Sequence, residues 1–178
     1  MIKTYILKKK LRQNIKGSAV ASYPEKVEHL LVIYNEFNAQ IEMFLNKLEN
    51  YFKANTTIYK ANLSKDLKPQ ECIRLNKKSI DWKGGFKDKA FDTFLPKTDL
   101  IIDLSEMNSL VKNYAISLAA EAYKISLNTD HNSVFQLTIK VDSEDLNQFF
   151  DEFIKYHNAL QHGQAKIFRD WCSTYYSI

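Results

Sequence analysis

Apolar residues recur at intervals of three and four along most of the chain, which is the spacing of an amphipathic helix. The longest such stretch, residues 24–54, predicts a helix of about thirty residues that begins at a proline. Similar spacing at 105–127 and at 146–156 predicts two more helices, the second capped by Asp142 or Ser143. A final helix is predicted at 164–176.

Strand patterns are fewer and lie far apart in the sequence. Residues 2–12 combine β-branched and aromatic residues with lysines, and residues 134–141 alternate strictly between apolar and polar. Residues 55–98 form an irregular region with short apolar pieces and one or two helical turns near residues 86–95. We therefore predict an α+β fold, mainly helical, with three to four long helices packed on a small antiparallel sheet built from 2–12 and 134–141.

Residues that interrupt helices and strands are scarce, with 4 glycines and 3 prolines in 178 residues. No low-complexity linker divides the chain. A single domain spanning residues 1–178 is the simplest interpretation. The pair Gly84-Gly85 between two lysines could let backbone N–H groups face a phosphate, but such a pair is more often a tight turn, which we predict here. It is not a Walker motif, which needs Gly-Lys-Ser/Thr at fixed spacing.

Charge is distributed unevenly between the two halves of the domain. Residues 1–98 carry 19 Lys and Arg against 10 Asp and Glu, a net of +9, whereas residues 99–178 carry 6 against 11, a net of −5. Such an asymmetry favours a basic face that meets a polyanion, although an unevenly charged solvated surface gives the same count.

Basic residues interleaved with aromatic rings are what single-stranded nucleic-acid binding requires. We therefore expect a non-catalytic accessory protein that binds nucleic acid, RNA or single-stranded DNA, through a basic N-terminal arm. The candidate binding residues are Lys8, Lys9, Lys10, Arg12, Lys16, Tyr59, Lys77, Lys78, Trp82 and Lys83.

The alternative is a helical protein-interaction module, such as an adaptor, an inhibitor or a subunit of a larger assembly. The acidic C-terminal half could dock a basic partner, and Trp171, Tyr175 and Tyr176 could anchor the contact if they are exposed. The sequence does not fix the oligomeric state.

Metal and cofactor chemistry receives little support from the sequence, and neither a metal nor a cofactor is expected. The carboxylates Asp99, Asp103 and Glu106 could converge on Mg²⁺ in a nuclease, but capping of helix ends is their simpler role. The two cysteines, Cys72 and Cys172, lie a hundred residues apart and predict reduced thiols rather than a disulfide or a metal knuckle.

The sequence also predicts where the protein acts. It has no apolar run of about 18 residues, and the charges of its N-terminus follow the apolar patch instead of preceding it, as they would in a secretory signal. We therefore expect a cytoplasmic protein that is not associated with a membrane.

The first 50 residues resemble the N-terminal region of TnpB-type RNA-guided nucleases and related CRISPR effectors. The resemblance lies in Lys3-Thr-Tyr-Ile-Leu-Lys, in Pro24, and in the segment that starts at His29 and reaches Leu45-Asn-Lys-Leu. It implies a strand of a wedge-like barrel followed by helices that recognise a guide–target duplex. It therefore implies RNA contact by Lys8, Lys9, Lys10 and Arg12, not cleavage.

Overall fold

The computed structural model describes residues 2–17, 21–64, 72–105, 107–127, 135–141 and 145–161. The helices are α1 (Ile2–Gly17), α2 (Ala39–Phe52), α3 (Lys89–Phe94), α4 (Leu110–Leu118) and α5 (Leu146–Gln161), with short 3₁₀ turns at Lys53–Asn55 and Leu95–Lys97. The strands are β1 (His29–Tyr34), β2 (Thr57–Asn62), β3 (Ile73–Arg74), β4 (Leu100–Asp103), β5 (Tyr123–Leu127) and β6 (Leu137–Ile139). Helix and strand alternate along most of this order, which is the arrangement of an α/β protein.

All six described strands are parallel and form one sheet in the order β3-β2-β1-β4-β5-β6. The predicted α+β fold with a small antiparallel sheet is therefore wrong. Parallel neighbours need crossover connections, and α2 between β1 and β2 and α4 between β4 and β5 supply two of them on opposite faces of the sheet. The central strands β1 and β4 are apolar at nearly every position because helices cover both of their faces.

The predicted strand at 2–12 is helix α1, which packs against α4. Its Leu7 is buried in the core that α4 lines, and Asn14 Nδ2 donates to Ser117 Oγ at 3.0 Å. Leu7, Leu11 and Asn14 follow one another at steps of four and three, which places them on one side of a helix. Tertiary packing has thus overridden the β-forming residues of this segment.

The predicted helix at 24–54 is a strand followed by a helix. β1 is the run His29–Tyr34, and α2 starts only after Asn38, whose side-chain oxygen accepts from Ile41 N at 2.9 Å. Asparagine at such a position satisfies an otherwise unbonded N–H of the first helical turn. The apolar face predicted for the later part of this stretch is confirmed, because Ile41, Phe44, Leu45 and Leu48 are buried.

The predicted helix at 105–127 is also divided. Its first part is α4, capped by Ser109, and its last part is the buried strand β5. The irregular region 55–98 contains β2, β3 and α3, and the helical turns expected near 86–95 are confirmed as α3. The expected strand at 134–141 is confirmed only at Leu137–Ile139, where it pairs with β5 in parallel and not with residues 2–12.

Two apolar cores enclose the sheet. Helices α1, α3 and α4 cover one face through residues such as Leu7, Phe91 and Tyr114. Helices α2 and α5 cover the other face through residues such as Phe44 and Phe153. Within the described residues, no helix is long and apolar enough to cross a membrane.

Three tyrosines in these cores make stability sensitive to alkaline pH. Burial raises the pKa of Tyr23, which shares a hydrogen bond with His157 Nδ1, and nearby tyrosines raise it further. Burial likewise raises the pKa of Tyr34, as does a hydrogen bond with Cys72, and burial raises the pKa of Tyr114. An unfolded chain releases these protons near pH 10, whereas the native protein retains them.

The stability that depends on these hydroxyls is therefore complete below about pH 10 and is lost as the pH rises above it. We expect the free energy of unfolding to fall above pH 10, and Tyr23→Phe to make the fall shallower by up to about 1.4 kcal/mol per pH unit. Urea unfolding between pH 8 and 11.5 measures both slopes. Tyr5→Phe, which removes an exposed tyrosine, is the control, and equal slopes for Tyr23→Phe and the native chain would contradict the prediction.

Candidate functional site

The sheet changes winding direction between β1 and β4. From β1 the chain passes through α2 on one face to β2, whereas from β4 it passes through α4 on the other face to β5. The segments that follow β1 and β4 therefore leave the sheet towards opposite faces. In open α/β sheets this divergence creates a crevice outside the carboxyl ends of the strands, and ligands commonly bind there.

A cavity of about 440 Å³ occupies this position, and we call it the switch-point crevice. Its walls come from the segments after β1, β2 and β4, from the end of β5, and from the first turns of α2 and α5. The lining residues are Asn35, Glu36, Asn38, Gln40, Ile41, Ser64, Leu104, Met107, Leu127 and Leu146. Half of them are polar and half apolar, as is usual for small-molecule sites.

Hydrogen bonds between the ends of β1 and β2 hold one wall of the crevice in place. Tyr34 O accepts from Leu63 N at 3.1 Å, and Asn35 O accepts from Ser64 N at 3.0 Å. The side-chain oxygen of Asn35 is buried and has no hydrogen-bond partner among the described residues. A buried acceptor without a donor is costly, so this atom is ready to receive an N–H or O–H group.

A second unsatisfied group lies in the same part of the sheet. Asn62 is the last residue of β2, pairs in register with Tyr34, and is fully buried. Within the part of the chain that the structure describes, neither the nitrogen nor the oxygen of its side-chain amide has a hydrogen-bond partner. Two unsatisfied amide side chains at neighbouring strand ends mark this edge as the polar end of an otherwise apolar sheet.

A buried ion pair holds the opposite wall, where β4 ends. Asp103 Oδ2 lies 2.8 Å from Lys112 Nζ of α4, and both side chains are almost completely buried. Ser105 completes the network, because its hydroxyl contacts Asp103 Oδ1 at 2.5 Å and accepts from Lys112 Nζ at 2.8 Å. Burial raises the pKa of Asp103, and the Lys112 ammonium and the Ser105 hydrogen bonds oppose that rise. This network fixes the path of the chain from β4 through Leu104 into α4.

Most of the basic residues predicted from the sequence lie elsewhere, on the helical layer that contains α1. Lys8, Lys9 and Arg12 are exposed on α1, which carries no acidic residue. Lys10 Nζ donates to Lys83 O at 2.8 Å, which brings Trp82 and Lys83 alongside this helix. We call Tyr5, Lys8, Lys9, Arg12, Trp82 and Lys83 the basic surface.

Comparison with known protein families gives a match over residues 3–160, which is most of the chain. The chain belongs to the DUF6913 family, a family of unknown function. No curated protein and no solved structure matches the chain at a significant level. The match includes every described lining residue of the crevice and the whole basic surface, so both belong to the part shared with the DUF6913 family.

Several candidate nucleic-acid residues do not join the basic surface. Tyr59 of β2 stacks on Phe94, with ring centroids 3.7 Å apart, and packs against the core, so it is not available to stack on a base. Lys77 and Lys78 are exposed in the turn after β3, and the Lys16 side chain lies outside the described residues. Trp171, Tyr175 and Tyr176, the candidate protein-interaction residues, lie outside the described part of the chain as well.

The carboxylates considered for a metal site do not converge. Asp99 precedes β4 and accepts from the backbone N–H groups of Glu28 and His29, both at 2.8 Å. Asp103 lies at the other end of β4, about 13 Å away at 3.3 Å per residue, where Lys112 neutralises it. Glu106 is outside the described residues, among which no group of three metal-ligating side chains is found.

The pair Gly84-Gly85 forms the tight turn that was predicted. Gly84 has φ 86°, a left-handed conformation that favours glycine, and a β-carbon there would lie 3.2 Å from Ile6 Cγ2. Tyr114 OH donates to Gly84 O at 2.7 Å. The turn therefore packs closely between α1 and α4 and helps to position Trp82 and Lys83.

The strand that the resemblance to TnpB-type nucleases implies for residues 3–8 is part of helix α1. The sequence interpretation also missed the switch-point crevice. The sequence contained a signal for it: Asn35 directly follows one short apolar run, and Asp103 ends another. Recognising it required both runs to be interpreted as parallel strands that lie side by side.

Proposed function

We propose that the protein binds a small molecule in the switch-point crevice. The observation that supports this most strongly is the position of the cavity, at the one point where the two halves of the described sheet diverge. A volume of about 440 Å³ falls within the range of sites that hold metabolites.

The lining favours a ligand with an N–H or O–H donor and an apolar portion. Asn35 offers a buried carbonyl oxygen to which no other described residue donates, and Glu36 adds a carboxylate. Ile41, Leu104 and Leu127 supply apolar surface on the facing walls. A ligand of this kind would satisfy the unpaired acceptor and cover the apolar lining at the same time.

A phosphate-bearing dinucleotide fits this lining poorly. The segment Asn35–Asn38 between β1 and α2 has no glycine, whereas the dinucleotide fingerprint needs glycines there for close approach of the pyrophosphate. Among the described lining residues none is basic, and the Glu36 carboxylate would repel a phosphate. We therefore propose an uncharged or cationic ligand that carries a nitrogen or hydroxyl donor.

A thermal-shift panel of matched pairs tests the proposal. Each pair contains the same compound with and without a phosphate: nucleosides and their monophosphates, amino sugars and their phosphates, and also free amines and amino-acid amides. We expect at least one phosphate-free compound to raise Tm by about 5 °C at a hundredfold excess over Kd. Its phosphorylated counterpart should have a smaller effect.

Two variants localise the binding. Gln40→Trp adds a large side chain at the crevice on an exposed first turn of α2 and should abolish the stabilisation. Asn46→Trp, at an exposed position of α2 that does not line the crevice, should leave it unchanged. Asn35→Leu, which removes the unpaired acceptor, should weaken binding about tenfold.

Compounds that stabilise Gln40→Trp as well as the native chain would exclude the crevice as the site. If only phosphate-bearing compounds bind, the proposed ligand class is wrong although the site stands. We propose that the protein acts in the cytoplasm, and Cys72, which forms no disulfide within the described residues, supports a reducing compartment.

A further inference from the structure

We infer that the basic surface is a second binding site, independent of the crevice, which takes single-stranded nucleic acid. Helix α1 and the turn that contains Trp82 are held together by hydrogen bonds, and none of the residues of the basic surface lines the crevice.

The charge of this surface is concentrated on one helix. Helix α1 contains five lysines and one arginine and no acidic residue. Lys8, Lys9 and Arg12 follow at steps of one and three, and with Tyr5 and Gln13 they line a concavity of about 360 Å³ along the helix. Cations one turn apart on a helix can contact successive phosphates of a flexible strand.

Two exposed aromatic rings accompany these cations. Trp82 is 72% exposed and Tyr5 is 69% exposed, the two highest values among the large apolar side chains of the described residues. Lys83 Nζ lies 5.1 Å from the centre of the Trp82 ring. An exposed indole next to a cation can stack on a base while the cation contacts the adjoining phosphate.

The turn that carries Trp82 is fixed against α1 before any ligand binds. Lys3 Nζ donates to Ile80 O at 3.0 Å, and Lys10 Nζ donates to Lys83 O at 2.8 Å. Both lysines therefore act as structural braces, whereas Lys8, Lys9 and Arg12 are exposed. A surface ordered in advance loses less entropy when it binds.

Asp81, a carboxylate in the same turn as Trp82 and Lys83, is engaged in contacts within that turn. Asp81 accepts from the backbone N–H groups of Lys83 and Gly85 at 2.8 and 2.9 Å, and those bonds hold its pKa below the usual value. Its other oxygen lies 4.0 Å from Lys89 Nζ. Asp81 thus belongs to the turn and is already partnered.

Single-stranded nucleic acid fits this surface better than a duplex or a membrane does. A duplex hides its base faces, so Trp82 and Tyr5 would have no stacking partner. A membrane-binding helix has a continuous apolar stripe beside its cations. On α1 the apolar residues Leu7 and Leu11 face the core instead.

Fluorescence anisotropy with a labelled 12-nucleotide oligouridine, at 50 and 200 mM NaCl, tests the inference. The triple variant Lys8→Ala, Lys9→Ala, Arg12→Ala should weaken binding at 50 mM NaCl at least tenfold and reduce the salt slope by about 2. The control triple Lys26→Ala, Lys47→Ala, Lys155→Ala has the same change in charge but lies away from this surface, and it should leave both nearly unchanged.

Trp82→Ala separates stacking from charge. It should weaken binding of the oligonucleotide about tenfold while leaving the salt slope unaltered, and it should not affect binding of a DNA duplex. All these residues are exposed or half-buried, and circular dichroism establishes that each variant remains folded.

Three outcomes would overturn the inference. The native chain could fail to bind the oligonucleotide at 50 mM NaCl. The control triple could weaken binding as much as the triple on α1 does. Vesicles of phosphatidylserine and phosphatidylcholine could bind the native chain while the oligonucleotide does not, which would identify a membrane surface instead.

Discussion

Replacing Lys112 by methionine should lower the free energy of unfolding by about 3–5 kcal/mol. The Lys112 ammonium lies 2.8 Å from Asp103 Oδ2, and neither side chain has appreciable contact with water. Methionine fills a similar volume but leaves the carboxylate buried, with the Ser105 hydroxyl and N–H as its remaining donors among the described residues. Removing one partner of a buried pair costs far more than the pair contributes, because the remaining charge has lost both water and its counterion.

Urea unfolding monitored by circular dichroism measures the loss. The double variant Asp103→Leu, Lys112→Met should recover most of it, since it removes both charges together. Lys155→Met is the matched control: it breaks the exposed pair with Glu152 and should change stability by less than about 1 kcal/mol. A loss below about 1 kcal/mol for Lys112→Met would show that the carboxylate has another source of stabilisation.

This ion pair also links stability to the crevice. Leu104 lies between Asp103 and Ser105 and forms part of the crevice wall, so loss of the network should loosen that wall. Protein sites of this kind often depend on polar contacts behind the lining that hold its backbone in place. Stability and ligand binding at the switch point are therefore expected to respond together to changes at Lys112.

The amphipathic helices were the part of the fold that could be predicted from the sequence. In α2, the buried residues Ile41, Phe44 and Leu48 recur at helical spacing, and in α5 Leu146, Phe149 and Phe153 do the same. Each of these helices packs against the sheet on one side and faces water on the other. Its apolar residues therefore recur with the helical period of 3.6, which can be recognised in the sequence.

The central strands could not be predicted in the same way. β1 has the sequence His-Leu-Leu-Val-Ile-Tyr and is covered on both faces, so it lacks the alternation of a half-exposed strand. A continuous apolar run fits the period of a strand and the period of a helix equally well, so it does not distinguish the two. When α2 follows a few residues later, Leu30, Ile33 and Tyr34 join its pattern and extend the apparent helix towards Pro24.

The crevice could not be predicted either, because it depends on which strands are neighbours in the sheet. Asn35 and Leu104 lie 69 positions apart, and only the pairing of β1 with β4 brings them to one edge. Strand order in a parallel sheet is determined by crossover connections and not by local patterns. The basic surface was easier to anticipate because Lys8, Lys9 and Arg12 are close in sequence, although their arrangement along a helix was not foreseen.

Phe149→Ala should produce the second large loss of stability, about 3–5 kcal/mol. Phe149 is fully buried on α5, and its ring centroid lies 5.8 Å from that of Phe44 on α2. Truncation would open a cavity between the two helices that cover this face of the sheet. The surrounding residues of a parallel sheet cannot collapse fully into such a space.

The adjacent residue provides the matched comparison. Phe150 has the same side chain on the same helix, but it is only half-buried and contacts Lys47 and Phe44 at the edge of the core. Phe150→Ala should cost no more than about half as much as Phe149→Ala, because water already reaches part of its ring. Thermal and urea unfolding of the two variants measure both losses of stability and so show which side of α5 faces the core. If the order of the two losses were reversed, α5 would have to be rotated about its axis, and Leu146 would no longer line the crevice.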